Sequence, residues 1–154
     1  MTMSDAVDAY EASTDFFLSE AREVTDANLD RHVEGGWSAR QVMHHMADSE
    51  AQSYARLRRL LAEPSGSVIQ GYDEAAWAEC AQLGYHELPI AHSLQVIVAV
   101  RTASLDVLRR LQESDLESYG EHTDSGRYTL ATWLDVYTEH PRAHAAQLLE
   151  ALNA

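Results

Sequence analysis

The chain of 154 residues contains no lysine; all 11 of its basic residues are arginine. That absence excludes a lysine Schiff base and a Walker-type phosphate lysine. Cysteine is nearly absent too. Cys80 stands alone, so no intrachain disulfide can form, which fits a reducing compartment. Positive charge is scarce: the 11 arginines face 25 acidic residues, for a formal net charge of −14. A surface of that sign repels duplex nucleic acid and anionic membranes, and neither is expected as a partner. Long apolar runs are missing, and the most apolar one, Leu94 to Val100, is far too short to span a bilayer. The opening MTMSDAVDAYEASTDFF is acidic and has no apolar core, so no signal peptide is expected and the expected location is cytoplasmic.

Proline and glycine are sparse, at three and seven residues, and cluster at a few points. The long unbroken segments between them read as long helices with few connections. The remaining composition, 45% hydrophobic and 23% charged, is that of an ordinary folded domain. A chain of this length is expected to form one domain over residues 1–154, burying enough surface to need no staple.

Hydrophobic spacing places four long helices. The first runs from about Ser4 to Leu29, with Val7, Tyr10, Phe17 and Val24 on one face. The second opens at Ser38, with Gln41 completing an S-x-x-Q capping box and Trp37 and Val42 a hydrophobic staple. It continues to about Leu61, its inward face reading Val42, His45, Met46, Ser49, Ser53, Leu57, Leu60. Pro64 to Gly71 reads as loop, and Asp73 to Cys80 as a short helix capped by Asp73. A third long helix spans about Ile90 to Gln112, with Arg101 among the leucines and Ile97 of its core face. Gly120 to Tyr128 reads as loop or turn. The last helix starts at Thr129 and carries Leu130, Trp133, Leu134, Tyr137, His140, His144, Leu148 and Ala151 on one stripe. With no convincing strand, the expected fold is all-α, an antiparallel four-helix bundle. The long crossing between the second and third helices speaks against a simple up-down-up-down order.

Eight histidines are present, and three of them, His45, His140 and His144, lie on inward faces. His140 and His144, at i and i+4, project from one helix face about one turn apart. A third ligand must come from another helix, and His45 is placed to supply it. Three neutral imidazoles leave an open coordination position, as in catalytic and not closed structural sites. Imidazole suits zinc, nickel or iron(II), so the donors do not choose the metal. His44 falls about 100° off the stripe and reads as lining the rim or facing out. Pro141 removes one backbone N–H inside the last helix and frees the carbonyl of Tyr137, at about 3 kcal/mol in a regular helix interior; it implies either a kink or a break between the two histidines.

The stretch GWSARQVMHHMADSEAQ, the later YDEAAWAE (Tyr72 to Glu79) and the C-terminal Tyr137-x-x-His140-x-Arg142-x-His144 occur in this order along the chain. Together they resemble the DinB superfamily, closest to its YfiT-like branch of bacillithiol-transferase-type and metal-dependent-hydrolase proteins. The resemblance implies a DinB-type antiparallel four-helix bundle and a divalent metal, zinc or nickel, held by His45, His140, His144 and water. It also implies a homodimer, because members of the branch often are. Three positions depart from the branch pattern: Glu50 and Ala143 where it carries histidine, and Pro141 where it carries glycine.

A metal in that position implies an enzyme acting on a small molecule: a hydrolase, or an S-transferase using a low-molecular-weight thiol of the bacillithiol or mycothiol type. Asp48, one turn beyond His45, is a candidate to orient an imidazole. Arg142 is a candidate to bind a substrate carboxylate, the other reading being a pair with Glu139. Tyr72 and Trp77 are candidates for the mouth. Cys80 reads as a buried small residue without a catalytic partner. The alternative of a different class is a non-catalytic dimeric bundle whose metal site is incidental or vestigial.

Overall fold

The computed structural model describes residues 2–154. Its frame is four long helices, α1 (Met3–Ala21), α2 (Ala39–Ala62), α4 (Ala91–Leu108) and α5 (Leu130–Leu152). A short helix, α3 (Glu74–Glu79), and three short strands lie between them. The helix starts follow from local chemistry. Ser38 and Gln41 form the reciprocal capping box of α2, Asp73 caps α3, and Thr129 accepts the Thr132 N–H at the start of α5. These caps satisfy N–H groups that have no partner inside a helix.

Two helix ends fall earlier than periodicity suggests. α1 stops at Ala21 and not near Leu29. Asn28 takes the Thr25 N–H on its side-chain oxygen (2.7 Å) and donates to the Glu23 carbonyl (2.9 Å), folding 23–28 into turns. Such side chains compete with the helix for the backbone. α4 ends at Leu108, and Leu111 packs from the turn that follows.

The core forms two clusters at opposite ends of the bundle. One holds Tyr10, Leu57, Leu108, Leu130 and Trp133; the other holds Phe17, Val42, Met46, Ile97 and Leu148. Each helix contributes one half to each cluster, which fixes its direction. α1 and α5 run one way, and α2 and α4 run the other. α1 packs on α5 and α4, and α2 packs on α4 and α5, so α1 and α2 face each other across a diagonal. The parallel neighbours α2 and α4 cannot be joined by a tight turn. The long crossing from residue 63 to 90 makes that connection, and it departs from the up-down-up-down order.

Strands occur where the sequence reads as loop. β1 (Val68–Ile69) pairs in parallel with β2 (Tyr119–His122), and β2 pairs antiparallel with β3 (Gly126–Thr129). The hairpin turns at Gly126, whose φ of 77° suits glycine. Ile69 and Tyr128 are buried in the first core cluster, so the sheet closes that end of the bundle.

Candidate metal centre

α2 and α5 pack directly against each other, and that contact brings three imidazoles from two helices to one point. The Nε2 atoms of His45, His140 and His144 stand 3.3 Å (45–140), 3.1 Å (45–144) and 3.0 Å (140–144) apart. Three rings cannot satisfy three such contacts with hydrogen bonds, because each Nε2 carries at most one proton, directed along one line. The tautomer of His144 sharpens the point. Its Nδ1 donates to the Gln147 amide oxygen at 2.7 Å, so a neutral His144 presents a lone pair at Nε2. Burial, reinforced by the other rings, lowers His45 to about 4 and His140 to about 2, and burial also lowers His144. The rings are therefore neutral at pH 7.

Neutral rings with converging donor atoms are what a cation requires. Two nitrogens bound to one zinc ion at tetrahedral angles stand about 3.3–3.4 Å apart. The three observed separations lie within a few tenths of an ångström of that, so the donor set fits a divalent metal. Among the described residues this is the one His/Cys/Asp/Glu cluster of metal-binding size.

The supports of the three rings differ. The edge of Trp37 packs on His45, with ring centroids 5.1 Å apart. Gln147 fixes His144, while Nδ1 of His45 and of His140 have no hydrogen-bond partner. His140 is held through its backbone. α5 passes through Pro141 as one helix, and the Tyr137 carbonyl that the proline leaves free accepts from Arg101 Nη1 at 2.7 Å. Arg101 also donates to Glu50 at 3.0 Å, to Thr14 and Ser13 side chains and to the Tyr10 carbonyl, and both charges are fully buried. Glu50, which stands where the branch pattern has histidine, thus neutralises an arginine and is not near the imidazole triad in role. Burial pushes its carboxyl up against the pull of Arg101.

A cavity of about 250 Å³ opens beside the triad. His140, Tyr137, Ser49, Arg56, Tyr72 and Glu74 line it, with Gly71, His122 and Asp124 on the side of the sheet. Tyr72 is therefore at the cavity, and Trp77 packs against it at 4.6 Å. Arg56, Gln147 and His122 carry no motif that marks them in the sequence. Only the i, i+3 spacing of His144 and Gln147 was available as a signal.

Other candidates lie elsewhere. The Asp48 carboxylate accepts from the Tyr85 hydroxyl, beside His44 and not His45. Arg142 is exposed and pairs with Glu139 at 3.1 Å. His44 does not face out: it is buried against α4, bonded to Ser93 Oγ at 2.7 Å and to the Leu88 carbonyl at 3.0 Å. Cys80 is half-buried at the end of α3.

A sequence model of the DinB superfamily matches residues 2–148. The chain belongs to the DinB superfamily. Its relatives within that superfamily include a protein of Oceanobacillus iheyensis, 38% identical over 114 residues, that is 74% of this chain and 64% of the relative. Another, from Bacillus mycoides, is 36% identical over 122 residues, 77% of this chain and 68% of the relative. Both are described as candidate metal-dependent hydrolases. The chain spans just under two thirds, 64%, of the length of the first. Among solved structures, YfiT from Bacillus subtilis superposes with a TM-score of 0.85 at 28% identity, covering 98% of this chain and 86% of YfiT. YfiT is described as a probable metal-dependent hydrolase with an unusual four-helix bundle topology. TT2238, a four-helix bundle protein, shares the fold with a TM-score of 0.65 at 22% identity, covering 96% of this chain and 98% of its own. For this DinB-superfamily chain the four-helix bundle and the three-histidine cluster thus stand together. No helix among the described residues is long and apolar enough to cross a membrane.

Proposed function

We propose that this chain is a metal-dependent hydrolase acting on a small molecule, with His45, His140 and His144 as the ligands of one divalent ion, zinc or nickel. The observation that carries the reading is the mutual approach of three Nε2 atoms to 3.0–3.3 Å in a cluster that stays neutral. The names of the relatives support hydrolysis. When bound, the ion supplies Lewis acidity to a carbonyl and acidifies a water or a thiol in its open position.

The protein supplies the remainder. α2 and α5 hold the donors in place before any ion arrives, so little ordering is needed on binding. Gln147 keeps the proton of His144 on Nδ1 and its Nε2 free. The cavity beside His140 admits a substrate of modest size. Glu74, whose carboxyl burial pushes upward, is the group on its wall suited to taking and returning a proton. Transfer to a thiol uses the same open position. The cavity walls select for neither nucleophile, and the relatives' names favour water.

The test is metal content with the fold monitored in parallel. The purified protein should hold one equivalent of zinc or nickel after dialysis. His45→Ala, His140→Ala and His144→Ala should each lose it while helical circular dichroism is unchanged. Full occupancy in any of the three removes that residue from the ligand set and the reading with it.

A further inference from the structure

Arg56 is out of place electrostatically. In a chain with net charge −14 it lines the cavity beside His140, yet it forms no ion pair among the described residues. Its Nη1 donates to the Tyr137 hydroxyl at 3.0 Å and its Nη2 to the Gln70 carbonyl at 2.8 Å, both neutral acceptors. Its Nε is buried with no partner, and so is the hydroxyl of Tyr72 on the same cavity wall. Because the Tyr137 oxygen accepts from Arg56, its own proton is free to be donated. A guanidinium edge and two hydroxyl donors thus share one small cavity, and the two carboxyls on its wall, Glu74 and Asp124, stand beyond ion-pair distance of Arg56. Buried donors left without partners are costly, and a carboxylate is the group whose geometry suits that edge.

We propose that Arg56, Tyr72 and Tyr137 form a carboxylate subsite beside His140, so that the substrate is a small molecule carrying one carboxylate near the bond that reacts. The proposal rests on the reading of the three histidines as a metal centre. It commits to a monoanion because the carboxyls of Glu74 and Asp124 line the same cavity. Those two carboxylates oppose a second negative charge, so a phosphate dianion is disfavoured. The cavity, at about 250 Å³, suits a group of a few carbons and not a polymer.

The test uses two metal-binding probes of matched length on the zinc-loaded protein, measured by calorimetry. Butyrohydroxamate carries a methyl terminus; succinic monohydroxamate carries a carboxylate there. The carboxylate probe should bind at least about tenfold more tightly, the range expected of a charge-assisted hydrogen bond. In Arg56→Gln that preference should vanish while butyrohydroxamate affinity is unchanged, and Tyr72→Phe should reduce it in part. Equal binding of the two probes by the wild-type protein overturns the subsite and leaves the metal centre standing. Tighter binding of the matched phosphonate overturns the choice of a carboxylate. Failure of both probes to bind zinc-loaded protein overturns the open metal centre, and the subsite falls with it.

Discussion

Among the described residues Gln147 is the one side chain outside the cluster that hydrogen-bonds to one of its imidazoles, and its contribution can be measured. Gln147→Ala frees His144 to rotate and to place its proton on Nε2. Partners of this kind typically change metal affinity about 10–100-fold. A competition titration against a chelator should show a loss of that size with little change in stability; unchanged affinity means that the Gln147 contact does not matter. Acid sensitivity is a second consequence at this scale. His44, His45, His140 and His144 all have folded values below the ordinary 6.5. As pH falls below that value, the unfolded chain takes up protons that the folded rings refuse. Stability is therefore full above about pH 6.5 and falls as pH drops toward about 4, at up to about 1.4 kcal/mol per pH unit for each such histidine. Urea titrations in EDTA should show a lower midpoint at pH 5 than at pH 7. The pair His45→Gln and His140→Gln should have a shallower dependence, and a midpoint independent of pH in the wild-type protein contradicts the burial of neutral rings.

The strands show how an element can matter without a strong local signal. β2 and β3 have four residues each, and β1 has two. None has a hydrophobic run, and β1 finds its partner some fifty positions away, with Val68 opposite Glu121. Periodicity inspects neighbours along the chain, so it has nothing to register here. The sheet nonetheless carries His122 and Asp124 to the cavity wall. Gly120 is where it is most vulnerable, because a Cβ there would stand 2.6 Å from both Ile69 Cγ1 and the Ser67 carbonyl. The carbonyl is backbone and cannot swing away, so Gly120→Ala should separate β1 from β2. A loss of about 1–3 kcal/mol in chemical denaturation is expected; an undisturbed midpoint means that the sheet yields freely.

Across the whole molecule, Arg101 is the tie between helices. Its side chain reaches α1 through Tyr10, Ser13 and Thr14, α2 through Glu50, and α5 through the Tyr137 carbonyl. It therefore does two things at once: it neutralises the buried Glu50 and satisfies the carbonyl that Pro141 cannot. Arg101→Met strands both groups, and a loss of about 3–5 kcal/mol is expected. The double variant Glu50→Leu with Arg101→Met should lose less than Arg101→Met alone, because no uncompensated charge remains buried. Denaturant titration of both proteins decides this, and a double variant less stable than the single one contradicts the account.

Local chemistry along the chain was sufficient for the four long helices, the caps that start α2, α3 and α5 and most of the inward stripes, because a 3.6-residue period and a capping side chain act within a few positions; it overran the C-terminal ends of α1 and α4. It was also sufficient to nominate His45, His140 and His144, since each lies on a face that must point inward. Their meeting is tertiary: it depends on α2 packing against α5, with parallel α2 and α4 joined by a crossover, and no spacing encodes that. The same is true of Arg56 standing unpaired in the cavity, of Glu50 finding Arg101, and of His44 turning into the contact with α4. Which groups share a buried space is set by long-range packing, where burial and the absence of water decide the partner of each charge.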